Sequence, residues 1–399
     1  MPTQSSTAVN ASALSSSMFL LWAGFILVSL NMRLIFATLG PVMSNLQLGD
    51  TSKMLVTTLP LLLLGVFSLI GVKLRHILGK ERAVFVAMLL LALGCSARWF
   101  GETALIIGTI FGSAGIAVMN VLMPALAKKR FGYQRMGLVM GIYALMLGVG
   151  AALGASASFP LFKALGADTP AAYHMLGLWS LPAVLALIVW LPQLAHQPAA
   201  AGHYHSTGKA VNVYKNPMAW SMTLFFGLQA LNLYVFLPWM TSMLMERGSA
   251  QPAAASLFAW SQVSLMFSSF LLPYWAGRCQ DHRGYIALTI LTCLAGTLGL
   301  YYAPLNTALI WALLLGFGQG AGPSLAAYLF VAKSGSIDTA TRVSSMAQTI
   351  GYLIGTAGLL LIGAIYRHTG NWNAPILLLA GILVVQLFIC LPAGRDVKV

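Results

Sequence analysis

The chain has 399 residues, 59% of them hydrophobic and only 8% charged, against roughly 25% charged in a soluble domain. No soluble core hides that much apolar surface, so a soluble globular fold is excluded. The net charge of +14 raises the question of a nucleic-acid footprint, but the basic residues are scattered between apolar runs, and no nucleic-acid partner is inferred.

The first 17 residues are rich in Ser, Thr and Ala and carry no charged side chain. They lack the basic start of a cleaved signal peptide and read as a disordered cytoplasmic tail, 1–17. Twelve apolar runs follow, near the ~20 residues that cross a hydrocarbon core of about 30 Å. They cover 18–40, 54–72, 83–100, 104–127, 136–159, 175–191, 218–240, 253–276, 285–303, 305–332, 343–366 and 372–391. The expected fold is therefore all-α and integral to the bilayer, with twelve transmembrane helices. The longest polar interruption, AHQPAAAGHYHSTGKAVNVYKN, leaves six runs on each side. It divides the chain into an N-terminal six-helix bundle over 18–195, a cytoplasmic linker over 196–217 and a C-terminal bundle over 218–399.

Charge sets the orientation. With both termini on one side, that side collects the basic residues within 73–82, 128–135, 209–215, 278–283 and 395–398, with Lys333 and Arg342. The other side receives only Lys53, Arg98, Lys163, Arg247 and Arg367, so both termini are expected in the cytoplasm. The turn GVKLRHILGKER after span two and the turn GRCQDHRGY after span eight fall at matching places, the mark of a duplicated six-helix unit. Glycines four apart, Gly137 with Gly141, Gly150 with Gly154 and Gly351 with Gly355, let helix backbones approach closely. Gly148, Gly150 and Gly154 in span five are the candidates for a sliding seam between the two bundles.

Cys95, Cys279, Cys293 and Cys390 have no paired spacing and are expected to be free thiols. His196, His203 and His205 in the central loop read as a solvated linker, and no metal is expected. No nucleotide-binding loop, zincin motif or nucleophile with its base and acid is present, so the chain reads as neither an ATP-driven pump nor an enzyme, and needs no cofactor.

The six-plus-six arrangement, the Gly277, Asp281, Gly284 turn and the glycine-rich fifth span resemble the major facilitator superfamily. LNMRLIFATLGP in span one, GIAVMNVLMPALAKKRF in span four, GLQALNLYVFLPWM in span seven and SSMAQTIGYLIGTAGLLLIGAIYRHTGNW in span eleven are similar to its cyanate and nitroimidazole transporter branch. The resemblance implies alternating access, with two halves rocking about a midplane site, in a chain acting as a monomer. Two departures stand out. Arg75 and His76 occupy the first turn where the family pattern has an acidic residue, and Leu34 stands where related sequences have proline, so span one is expected to be less kinked. Asp281 is kept and, with Arg278, is the candidate inner gate.

All eight acidic residues fall in loops or at span ends. A proton-coupled carrier generally places a titratable group on its pathway, so coupling through a buried carboxylate is not expected. Arg33 in span one belongs to neither basic surface. A cation at mid-bilayer costs from about 2.5 to above 10 kcal/mol, and its planar fork suits an anion or a strongly polar acceptor. The alternative is snorkelling, because Arg33 lies about 10 Å from the outer end of its span. Arg98, two residues from the end of span three, reads as an interfacial anchor beside Trp99. Asn31, Gln229, Tyr234, Gln262, Gln319, Gln348 and Tyr352 complete the candidate binding set, uncharged groups that suit a site that must bind and release. Gln229 and Tyr234 stand out because span seven is the pseudo-symmetric partner of span one. The leading expectation is a carrier for a small anion or polar nitrogen compound such as cyanate. The 19 Met, 19 Phe, 13 Tyr and 10 Trp keep an exporter of amphipathic drugs such as nitroimidazoles open, and a receptor that binds without flux is the alternative of another class.

Overall fold

The computed structural model describes residues 5–132, 134–196 and 212–399. Among them the regular structure is helical throughout, as it must be where lipid offers no partner for backbone N–H and C=O groups. Helices α1 (Ser5–Ala37), α2 (Asp50–Leu78), α3 (Lys80–Ala97), α4 (Glu102–Phe131), α5 (Met136–Ala164), α6 (Thr169–Leu178) and α7 (Ser180–Trp190) come first. After them follow α8 (Pro217–Glu246), α9 (Gln251–Ala276), α10 (Arg283–Tyr302), α11 (Ala308–Ala332), α12 (Ile337–Thr369) and α13 (Asn373–Cys390). They provide 12 spans, α6 and α7 together making the sixth, Thr169–Ala195. The chain is a multi-pass membrane protein, and large apolar side chains such as Phe100, Phe267, Leu360 and Phe388 are exposed along its spans, as a lipid-facing surface requires.

Two details depart from the sequence reading. Helix α1 runs back to Ser5, so part of the expected disordered tail continues span one: the segment has no proline, and its Ala and Ser residues extend a helix already nucleated by the apolar run. His203 and His205 lie outside the described residues.

Local chemistry sets the helix ends. The Asp168 carboxylate accepts from Ala171 N at the start of α6, Asn216 from Met218 N and Ala219 N at the start of α8, and Ser336 from Thr339 N at the start of α12. Such caps satisfy donors that the first helical turn leaves open.

The chain divides into two compact units. One comprises Met1–Pro60, Lys73–Met123 and Met146–His205, the other Leu61–Val72, Pro124–Leu145 and Ser206–Val399. The changeover within α2 and α4 falls at Pro60 and Pro124, each of which removes one backbone donor from its helix. In unit 1, α1 and α3 pack on α7, and a core of Leu39, Val42, Leu46, Leu105, Phe162, Met175 and Leu176 closes one end. In unit 2, α11 packs on α9 and α10, and α12 on α8. Residues 61–72 and 124–145 are built into this unit: Ser345 donates to Ser68 O at 3.0 Å, and Lys128 Nζ to Val331 O at 3.0 Å and Ser334 O at 2.6 Å.

Candidate solute-binding site

In unit 1 the site is built on the last turns of α1. Trp22, Ile26, Leu30, Arg33 and Ala37 form a half-buried stripe at helical spacing, while Asn31, Met32, Leu34 and Ile35 turn inward and are buried. Arg33 is therefore half-buried, between the buried Met32 and Leu34. Asn31 Nδ2 donates to Leu27 O at 2.8 Å and across to Pro182 O of α7 at 3.1 Å. That double engagement makes it a tie between spans one and six. A Cβ placed at Gly150 would lie 2.0 Å from Leu30 O, and one at Gly154 2.5 Å from Leu34 O, so α5 rests directly on the α1 backbone either side of Arg33.

Gly150 and Gly154 pack two helices within unit 1, and Gly148 is half-buried on α5. The α5 glycines that meet a helix of the second sequence half are Gly137 and Gly141, against Pro273 O and Phe270 O of α9. A glycine pair four apart marks close approach but not the partner, which the sequence alone does not reveal.

Arg98 also departs from expectation. It is 0% exposed and does not face outward: the short 3-10 turn Arg98–Phe100 sends Trp99 outward to stack on His174 at 4.6 Å and turns Arg98 inward, where Nη1 donates to Ile35 O at 3.0 Å.

Unit 2 holds the amides and tyrosines. Gln229 on α8 is 0% exposed. Its Nε2 donates to Gln386 Oε1 of α13 at 3.2 Å, Gln386 Nε2 donates to Phe225 O at 3.1 Å, and the Cys293 thiol donates to Gln229 Oε1 at 3.5 Å. Gln229, singled out in the sequence as a ligand group, is thus spent on a chain linking α8, α10 and α13. Gln386 was missed, although it is a lone amide in the apolar run ILVVQLF. Gln319 Nε2 donates to Asn232 Oδ1 at 3.0 Å, leaving Asn232 Nδ2 buried without a partner among the described residues.

Gln348 Nε2 donates to Ser344 Oγ at 3.0 Å, and Gln262, half-buried on α9, donates to Ser261 Oγ at 3.3 Å. Tyr352 on α12 meets Phe226 edge-on at 5.4 Å and Tyr234 at 6.5 Å between ring centres, and Phe226 meets Phe330 at 5.8 Å. Tyr234, Tyr352, Phe226 and Phe330 form an aromatic group with Asn232, Gln319 and Gln348 on the same three helices, α8, α11 and α12. All four thiols are free, as expected.

At the loop before α10, Asp281 Oδ2 accepts from Arg283 Nε at 2.9 Å and from Nη2 at 2.6 Å, while Oδ1 accepts from Nε at 3.2 Å and from Arg283 N at 2.9 Å. The Arg283 guanidinium beside it holds the carboxyl down to about 2. Arg278 bonds the Tyr274 hydroxyl and lies over its ring at 4.4 Å, so the two residues expected to act together have separate partners. The acidic residues keep to loops, caps and terminal turns: Asp50, Glu81, Glu102 and Asp338 open helices, and Glu246 ends one.

The sequence profile described as Major Facilitator Superfamily matches residues 21–356. The chain is 32% identical to the 2-nitroimidazole transporter of Escherichia coli (strain K12), over 94% of this chain and 96% of that one. It is 28% identical to the cyanate transport protein CynX of the same organism, over 91% and 95%. Among solved structures, the proton:xylose symporter XylE superposes with a TM-score of 0.75 at 12% identity, over 96% of this chain and 98% of that one.

Proposed function

The chain belongs to the major facilitator superfamily and is a transporter; from that premise we propose that it is a secondary or facilitative carrier of a small anion or polar nitrogen compound, cyanate-like, with Arg33 as the anion ligand. The observation that carries this reading is Arg33 itself, a half-buried guanidinium inside the first span, in a protein whose acidic residues keep to helix ends and loops. A cation inside a span is costly to keep there for packing alone, and its fork matches a planar or linear anion. The relative that carries the name cyanate transport protein supports the same solute class.

Inside-negative potential opposes entry of a lone anion by about 2.3 kcal/mol per charge at 100 mV, so uptake proceeds by exchange, by cotransport or down a steep gradient. The carrier works as a monomer in the bacterial inner membrane with both termini cytoplasmic. The bodies that rock are the halves 18–195 and 218–399, and Asp281 and Arg278 belong to the inner gate. A second reading, export of planar nitroaromatic compounds, is favoured by the aromatic group of Phe226, Tyr234, Phe330 and Tyr352 and by the 2-nitroimidazole transporter relative.

A thermal-shift screen of the purified protein against cyanate, other small anions and 2-nitroimidazole tests the choice. Stabilisation by cyanate in the wild type and its loss in Arg33→Gln is the expected result. Stabilisation by 2-nitroimidazole alone, unchanged in Arg33→Gln, would select the second reading.

A further inference from the structure

Arg98 is one of the largest fully buried side chains in the protein, and it closes a membrane span, Lys80–Phe100. Its one hydrogen bond runs from Nη1 to Ile35 O; Nε and Nη2, the two nitrogens that form the side-on fork, have no partner among the described residues. Burying a guanidinium costs more than one such bond returns, and an apolar side chain of similar volume would fill the space at lower cost. Stability therefore does not account for an arginine here. What Arg98 supplies and an apolar side chain does not is a positive donor to Ile35 O.

That point is the carbonyl of Ile35, in the last turn of α1, where backbone oxygens lack helical donors and the helix dipole is negative. Thr38 Oγ1 donates to the same oxygen at 2.8 Å, so the end of α1 is fixed from two sides, two residues beyond Arg33. The base from which Arg98 reaches is itself immobilised. Trp99 is stacked on His174 and backed by Gly177, where a Cβ would lie 2.6 Å from the ring. On the other flank, Gly94 and Gly108 bring α3 and α4 into backbone contact, with a Gly108 Cβ position 3.2 Å from Arg98 Cγ.

We propose that Arg98 is a positioning residue for solute binding: it fixes the depth and rotation of the last turn of α1 and so aims the Arg33 guanidinium. The proposal rests on the reading of Arg33 as the anion ligand.

The test is uptake of radiolabelled cyanate into proteoliposomes by the wild type, Arg98→Lys, Arg98→Gln, Thr38→Val and Arg33→Lys, and by Arg33→Lys combined with Arg98→Gln. Arg98→Gln should raise KM about tenfold with Vmax within about twofold, the signature of misaimed binding. Arg98→Lys, which keeps a charged donor for Ile35 O, should recover most of that loss, and Thr38→Val should raise KM by a smaller factor. In the Arg33→Lys background Arg98→Gln should add less than its factor alone, because both act through one contact.

A lowered Vmax with unchanged KM in Arg98→Gln, or equal factors in both backgrounds, would overturn the positioning role. Where Arg98→Gln fails to fold, an unchanged KM in both Arg98→Lys and Thr38→Val does the same. If Arg33→Lys transports cyanate with wild-type KM, the ligand reading of Arg33 fails instead; an impaired Arg33→Lys beside a normal Arg98→Gln refutes the positioning role alone.

Discussion

Replacing Gly150 by alanine tests whether α5 and α1 are in backbone contact beside Arg33. The added Cβ would sit 2.0 Å from Leu30 O, where ordinary contact begins at 3.4 Å, so the helices must part by about 1.4 Å or the side chain must not be there. Overpacking of this kind costs about 1–3 kcal/mol. The helix-propensity gain of alanine over glycine is only about 0.5–1 kcal/mol, so the clash decides the sign.

Gly381 on α13 is the control, because nothing lies within 4 Å of its Cβ position and only the propensity gain remains. Gly154, with Leu34 O at 2.5 Å, falls between them. Thermal unfolding of the three purified alanine variants in detergent should rank Gly381→Ala most stable, then Gly154→Ala, then Gly150→Ala. A Gly150→Ala protein as stable as Gly381→Ala would refute the close approach and, with it, the packing that presents Arg33.

Two further outcomes follow from buried polar groups. Gln229→Leu leaves Gln386 Oε1 without its donor and should destabilise by about 1–2 kcal/mol in thermal unfolding, and Gln386→Leu added to it should cost less than the sum of the single losses. Cyanate KM should be unchanged in Gln229→Leu if that amide is structural; a large KM rise would return it to the binding site. His282 is buried and donates Nε2–H to Ala276 O at 3.0 Å, and its Nδ1 has no partner among the described residues. Burial and then the nearby Lys333 push its pKa below 6.5, against the weaker effects of its bond to Ala276 O and then of Asp281 and Asp396. The unfolded chain thus takes up the proton first, and stability should fall as pH drops below about 6.5 toward the lower folded value. Melting temperatures measured across that window should lose this slope in His282→Gln, and an unaltered slope would assign it to another group.

The spans were legible because twenty-residue apolar runs carry their signal one residue at a time, and Arg33 was legible as a lone charge inside such a run. What failed to show depended on partners distant in sequence. Arg98 stands so near the end of its span that spacing alone reads as an interfacial anchor; only the 3-10 turn at 98–100 reveals which of Arg98 and Trp99 faces in. Gln229 stood out in span seven, but its hydrogen bond to Gln386 of the last span is written in neither run alone. The glycines of α5 announced close packing, yet Gly150 meets α1 while Gly137 meets α9, a distinction that periodicity does not encode.

The central claim is that Arg33 binds the transported anion, and the most direct measurement is saturable cyanate uptake by proteoliposomes holding the wild type or Arg33→Gln at equal amounts of folded protein. The account predicts saturable uptake in the wild type and none above the lipid background in Arg33→Gln. Uptake with the same KM and Vmax in both would contradict it.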